Sequence, residues 1–139
     1  MLFAVAALTV LLVDVNAQLQ ECHLSPTVQE VYEQFLLKAN PGLIWNDAMS
    51  SQALRELEEP GSVLRPGAPY IHFGAERTFE DKEKPFSIPK KTRYTLFKMV
   101  KFWRKIHGLS EGVNYGCNGV YTSENSKDKM KVLCLFQNY

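Results

Sequence analysis

The chain has 139 residues, a formal net charge of +1, and a composition that is 45% hydrophobic and 12% aromatic. This length and apolar content predict one folded domain around one core and exclude a disordered chain. The near-neutral charge gives no global field that would attract nucleic acid, so we expect no nucleic-acid partner.

The chain begins with an apolar run over residues 2–13, followed by the A-x-A-like segment Val15-Asn16-Ala17. This pattern predicts a secretory signal peptide over residues 1–17 and a single mature domain over residues 18–139. The run is shorter than the about 20 apolar residues that cross a bilayer, so we expect a secreted, extracellular protein without a transmembrane segment. The alternative is a buried first strand or helix, because no Lys or Arg precedes the run.

A first amphipathic helix is predicted to open at Ser25-Pro26. Ser can accept hydrogen bonds from the free N–H groups of the first turn, and Pro suits the first helical position. The segment Asn40-Pro41-Gly42 ends the helix. Apolar residues that recur at helical spacing form its buried face: Val28, Val31, Tyr32, Phe35 and Leu36.

A second helix follows a short apolar anchor at residues 43–45. Asn46 or Asp47 can cap this helix, and Pro60-Gly61 ends it. Its apolar face consists of Met49, Ala53 and Leu57.

Residues 60–92 hold five of the seven prolines and predict an irregular segment. Within it, Tyr70–Phe73 is a candidate strand. The run of mixed charges over Glu76–Lys84 is typical of a solvated loop.

A third helix is predicted over residues 91–107, with Gly108 as its C-terminal cap. The residues around 90–105 also include many Lys and Arg but no acid. Two interpretations stay open: a core helix whose basic side chains are solvated, or a cationic surface that binds anionic membranes. The apolar face consists of Leu96, Met99, Val100, Trp103 and Ile106.

The C-terminal segments over residues 115–121 and 130–137 predict two strands joined by a polar turn. We expect a disulfide between Cys117 and Cys134, which would close a loop of about 17 residues. The chain has three cysteines, so Cys22 is then either free or bonded to another molecule, such as a disulfide-linked partner.

Several of these segments resemble the CAP superfamily of cysteine-rich secretory, antigen 5 and pathogenesis-related 1 proteins, which share the SCP-like extracellular domain. Residues 43–54 resemble its L-x-W-D-x-x-L-A-x-x-A opening, and residues 98–106 its A-V-x-x-W-Y helix. Residues 113–120 resemble its V-G-C-G-V strand, and residues 131–136 its closing Y-V-V-C-x-Y strand. The resemblance implies an α+β fold, an α-β-α sandwich with a small antiparallel sheet between helices, and a disulfide between the last two strands.

The same family carries two His and two Glu in a central cleft, and this chain departs from that pattern. Gly74-Ala75-Glu76 is the nearest match to the family's Gly-Glu turn, and His72 lies four residues before Glu76. Residues 104–106 read Arg-Lys-Ile where the family has a Glu, and no H-F-T-Q segment occurs. We therefore interpret His72 and Glu76 as the remnant of an incomplete cleft.

The sequence lacks the motifs for metal binding, phosphate binding and nucleophilic catalysis. His23, His72 and His107 lie in separate segments, without the spacing of a metal site. The sequence has no phosphate-binding glycine loop and no nucleophile elbow. We expect no enzyme activity, no catalytic residues, no metal and no cofactor.

The resemblance implies a secreted binding protein for an extracellular protein, a lipid or a sterol. The alternative is a cationic membrane-active or host-defence protein that acts through the basic segment 90–105. A residual hydrolase is the third hypothesis, and the missing acid–base pair disfavours it.

Overall fold

The structure, a computed structural model, describes residues 24–124 and 126–137. The predicted signal peptide and Cys22 lie outside these residues. Two 3-10 helices, Asp81–Glu83 and Phe97–Phe102, interrupt the regular elements. In chain order these elements are α1 (Pro26–Ala39), β1 (Ile44–Trp45), α2 (Asp47–Glu58), β2 (Tyr70–Phe79), α3 (Ile88–Leu96), α4 (Trp103–His107), β3 (Asn114–Glu124) and β4 (Lys127–Gln137).

The first two helices begin where the sequence predicts. The Val28 N–H donates to the Ser25 hydroxyl at 3.2 Å, and the Met49 N–H donates to the Asn46 side-chain oxygen at 3.0 Å. Each cap satisfies a backbone donor that has no partner within the helix. Both helix starts are thus fixed by local sequence.

The four strands form one sheet in the order β1-β3-β4-β2. The pairs β3–β4 and β2–β4 are antiparallel, as expected, but β1 pairs with β3 in parallel, so the sheet is mixed. Helix α2 covers one face of this sheet, and the helices α1, α3 and α4 cover the other. The fold is an α+β sandwich of the α-β-α type.

Strand β4 supplies apolar side chains to both faces of the sheet, because its neighbours cover it on both sides. Met130, Val132 and Phe136 join the main core under α1, α3 and α4. Leu133 and Leu135 point the other way and join Met49 and Ala53 in a smaller core under α2. The sheet is therefore held between two apolar layers.

Helix α2 packs directly on the backbone of β3 at Gly116. A Cβ atom at this position would lie 2.2 Å from the Ser50 nitrogen and 2.7 Å from the Asn46 oxygen. The Ser50 hydroxyl also donates to the Cys117 carbonyl at 2.7 Å, and the Asn118 amide donates to the Ser50 carbonyl at 3.3 Å. Only glycine fits at position 116.

A disulfide joins Cys117 and Cys134 across the β3–β4 hairpin. The two residues are directly paired in the strand register, with their Cα atoms 4.1 Å apart. Both are fully buried in the main core. The bond therefore ties the two middle strands together inside the protein.

The prediction of a solvated loop over Glu76–Lys84 was wrong for residues 76–79, which belong to a strand, whereas residues 80–82 are exposed as expected. Strand β2 runs on to Phe79, and a 3-10 turn follows. Two ion pairs neutralise charges of this segment. Lys129 Nζ of β4 lies 2.6 Å from Glu76 Oε1, and within the segment Arg77 Nη2 lies 2.8 Å from Glu83 Oε2. A charged segment can join a sheet when its neighbours supply the opposite charges.

The prediction of a single third helix over residues 91–107 was also wrong, because this region contains two helices and a 3-10 helix between them. Helix α3 begins earlier, at Ile88, and the 3-10 helix Phe97–Phe102 separates it from α4. A 3-10 helix has three residues per turn, so residues three apart lie on the same face. Leu96 and Met99 are fully buried, but Val100 is 53% exposed rather than part of the core.

The basic face expected over residues 90–105 is not continuous. Lys91 is buried, and its ammonium group donates to the Lys84 carbonyl at 2.7 Å and to the Tyr121 hydroxyl at 2.9 Å. Arg93 and Lys98 line different grooves. The cationic side chains therefore point in several directions.

Candidate functional site

The two residues of the expected cleft remnant do not converge. His72 and Glu76 are both exposed on β2, and four residues of strand separate them by about 13 Å. The hydrogen bond from Lys129, together with the charges of Lys129 and Lys131, holds the pKa of the Glu76 carboxyl below its usual range. Glu76 thus belongs to a cross-strand ion-pair cluster rather than to a cleft with His72.

Glu56, at the end of α2, is an acidic residue whose pKa is lowered mainly by backbone donors and, to a smaller extent, by the charge of His72. Its carboxylate accepts hydrogen bonds from the N–H groups of Gly61, Val63 and Leu64 at 2.7, 3.0 and 2.6 Å. Burial acts to raise the pKa of Glu56, but the three backbone donors outweigh it and lower the pKa. Sequence reasoning missed this residue, because nothing in the sequence marks its bonds to the following loop.

Among residues 24–124 and 126–137, no group of three His, Cys, Asp or Glu side chains could hold a metal ion. The His107 ring forms a hydrogen bond at the end of α1, where its Nδ1 atom lies 2.9 Å from the Ala39 carbonyl oxygen. His23 lies outside the described residues. The described histidines therefore offer no convergent ligand set.

An apolar groove of about 290 Å³ lies between α1 and the segment formed by α3 and the second 3-10 helix. We call it the helical groove. Trp103 forms one wall and meets Phe35 edge to face, with ring centroids 5.4 Å apart. Phe97 and Val100, each more than half exposed, form the opening. The apolar lining consists of Val31, Phe35, Leu96, Phe97, Val100 and Trp103.

The rim of the helical groove is polar and cationic. It is formed by Gln34 and Lys38 of α1 and by Arg93 of α3. Lys38 and Arg93 are exposed, and neither makes an ion pair with any residue that the structure describes. The groove combines apolar walls with two unpaired positive charges.

A second groove, of about 540 Å³, lies on the other side of the same 3-10 helix. We call it the lysine groove. Lys98 and Lys101 approach it from the 3-10 helix, and Lys131 and Glu76 approach it from the sheet. Its remaining lining consists of Leu57, Gly74, Ala75, Val132 and Leu133.

Comparison with known proteins places this architecture among secreted proteins. The family described as ES15, 15 kDa excretory/secretory protein, matches residues 31–138. A 30 kDa antigenic glycoprotein of Trichostrongylus colubriformis is 30% identical over 100 residues, which cover 68% of this chain and 67% of the relative.

The solved structures that resemble this chain include Ancylostoma-secreted protein Ac-ASP-7 and its manganese-bound form. Each has a TM-score of 0.60 at 14% identity, over 85% of this chain and 72% of the other. Ac-ASP-7 is an SCP/CAP-type protein, so the likeness supports the α-β-α fold. No helix in the described part of this chain is long and apolar enough to span a membrane.

Proposed function

We propose a binding function for this extracellular chain, which belongs to the ES15 family of 15 kDa excretory/secretory proteins. Its ligand is a single-chain amphiphile with an anionic head, such as a long-chain fatty acid, held in the helical groove. The protein is a divergent CAP domain that binds rather than catalyses. Secreted relatives and an SCP/CAP-type structural neighbour support this class.

The apolar lining of the helical groove carries the proposal. Each methylene group that leaves water for such a lining gains about 0.8 kcal/mol. The groove volume of about 290 Å³ lies at the lower end of the range for ligand sites, which favours one acyl chain over a bulkier sterol. Lys38 and Arg93 at the rim can pair with a carboxylate head, and a guanidinium can do so through two parallel hydrogen bonds.

A metal ion such as the manganese of that structural neighbour does not fit the residues present. His72 and Glu76 lie apart along one strand, and Glu56 is engaged by backbone donors. The proposal therefore includes no metal and no hydrolytic step.

A membrane-active role through residues 90–105 is the second candidate. The exposed side chains of Phe97 and Val100, with Lys98 and Lys101 beside them, favour it. Such a surface would bind anionic vesicles in the absence of any monomeric ligand, and salt would weaken that binding.

Palmitate binding, followed by the tryptophan fluorescence to which Trp103 in the groove and Trp45 outside it both contribute, tests the helical groove. We expect palmitate to change the fluorescence of the wild type, and Val100→Asp to weaken binding at least about ten-fold because it places a charge in an apolar wall. Ile44→Asp is the matched control, since Ile44 is also 53% exposed but lies on β1. Equal affinity of the wild type and both variants would reject the groove as the site.

The anionic head is tested separately with the variant Lys38→Gln/Arg93→Gln. We expect it to weaken palmitate binding but to leave the binding of hexadecanol, which has the same chain and no charge, unchanged. Binding of the wild type to vesicles of phosphatidylcholine and phosphatidylserine, without palmitate binding, would instead support the membrane-active role.

A further inference from the structure

Three lysines from two elements line the lysine groove. Lys98 and Lys101 lie one turn apart on the 3-10 helix, so their side chains lie on the same face. Lys131 lies on β4, where it is paired with Glu76 of β2 in the strand register. The groove therefore brings together positive charges that are far apart in sequence.

The positive charge of this groove is only partly compensated. Glu76 is the one carboxylate among its lining residues, and Lys129 already binds it at 2.6 Å. Lys131 lies 3.9 Å from the same carboxylate. Within the described residues, neither Lys98 nor Lys101 makes an ion pair. Lys98 and Lys101 thus line the groove without an ion-pair partner at close range. The charge of Lys98 acts on the Glu76 carboxylate from a longer distance, and the Lys101 ammonium lies 5.0 Å from the centre of the Phe102 ring.

The side chains that line the groove indicate the kind of anion. Its apolar lining is half-buried or buried, and none of it is a large exposed side chain that could insert into a bilayer. Binding to a bilayer is favoured by such inserting side chains, whereas a linear polyanion requires only positive charges along its path. None of its lining residues also lines the helical groove, so the two grooves are separate.

We propose that the lysine groove binds a linear sulfated polysaccharide of the extracellular space. Sulfate groups repeat along such a chain, so several can meet Lys98, Lys101 and Lys131 at once and form charge-assisted hydrogen bonds. The site is independent of the proposed acyl-chain ligand. Binding would weaken steeply with salt, because each contact displaces counter-ions from the polymer.

A heparin hexasaccharide and calorimetry test this site in the mature protein. We expect Lys98→Gln/Lys101→Gln to weaken binding about ten-fold through the loss of two charged contacts. The control Lys82→Gln/Lys127→Gln removes the same charge from exposed lysines outside the groove, and we expect its affinity to stay within about two-fold of wild type. Circular dichroism verifies that all variants are folded.

A variant with the opposite effect completes the test. Glu76→Gln removes the one carboxylate of the groove, so we expect it to tighten hexasaccharide binding, and we expect a desulfated hexasaccharide not to bind. Absence of binding by the wild type, or equal losses in the groove variant and the control, would overturn the proposal. It would also be overturned if phosphatidylserine vesicles bound more tightly than the hexasaccharide and lost affinity in the same groove variant.

Discussion

At the scale of single residues, Glu56 organises the loop that follows α2. One carboxylate replaces the missing partners of three backbone N–H groups, at Gly61, Val63 and Leu64. Buried backbone donors are costly when they lose their partners, about 1–3 kcal/mol for each group. The same loop carries Val63 and Leu64 onto the smaller core.

We expect Glu56→Gln to lower the free energy of unfolding by about 1–3 kcal/mol at neutral pH. The folded state lowers the pKa of Glu56, so its contribution is complete above the usual glutamate value near 4.5 and is lost as the pH falls through the folded value. Urea unfolding across this pH range checks the prediction. The difference in unfolding free energy between the wild type and the variant should become smaller in acid. Glu59→Gln, at an exposed position, is the control. The prediction would be contradicted if the difference in unfolding free energy between the wild type and Glu56→Gln stayed constant with pH.

At single residues, the sequence predicts those interactions that form between neighbours along the chain. Ser25 and Asn46 act three positions along the chain, so their caps could be inferred directly. The charged surroundings of His72 could not be inferred from the sequence, because Glu56 lies on a different element. Likewise, the resemblance indicated His72 and Glu76 as remnants of a cleft, but only the structure shows that they lie four residues apart along one strand.

At the scale of elements, the β3–β4 hairpin is the central unit of the sheet, and its disulfide crosses a sequence separation of 17 residues. Closing a loop of that size limits the unfolded chain and stabilises the folded one by about 3 kcal/mol. The hairpin was predictable because its two strands, the polar turn between them and the two cysteines lie close together in sequence.

We expect the variant Cys117→Ala/Cys134→Ala to lose about 3 kcal/mol of unfolding free energy. Urea denaturation measures the loss, and Cys22→Ser serves as the control because it leaves the bond intact. A thiol assay of the denatured, unreduced wild type should detect one free thiol in a monomer. Three free thiols, or an unchanged urea midpoint in the double variant, would contradict the prediction.

The predictions of a single third helix and of a charged loop were wrong for the same physical reason. Helical spacing places Val100 beside Leu96 and Trp103, but a 3-10 turn rotates it out into solvent. Its conformation is set by packing on β2 and on the helices nearby, which the local pattern does not contain. Similarly, Lys129 of β4 neutralises Glu76 of β2, and this pairing with a distant strand is absent from the local pattern.

At the scale of the whole molecule, the odd number of cysteines leaves one sulfur without a partner in the chain. The hairpin uses Cys117 and Cys134, and Cys22 lies outside the described residues. In an oxidising extracellular space, an unpaired thiol either stays free or forms a disulfide with another molecule. A disulfide-linked partner through Cys22 stays a prediction.

Gel migration without reductant tests that prediction. We expect the secreted wild type to include a disulfide-linked species that disappears with reductant and in Cys22→Ser. Identical migration of the two proteins as monomers would show that Cys22 forms no such bond.

The strand order has a consequence for the time course of folding. Both edge strands, β1 and β2, pair only with the middle strands, and the middle strands are the last two elements in sequence. A nascent chain that ends before residue 114 therefore holds two strands whose partners have not been synthesised. Its helices can form early, but their apolar faces have no sheet to cover them, and such exposed surface promotes aggregation. The hairpin, which can close locally, then serves as the template on which the earlier part of the chain assembles.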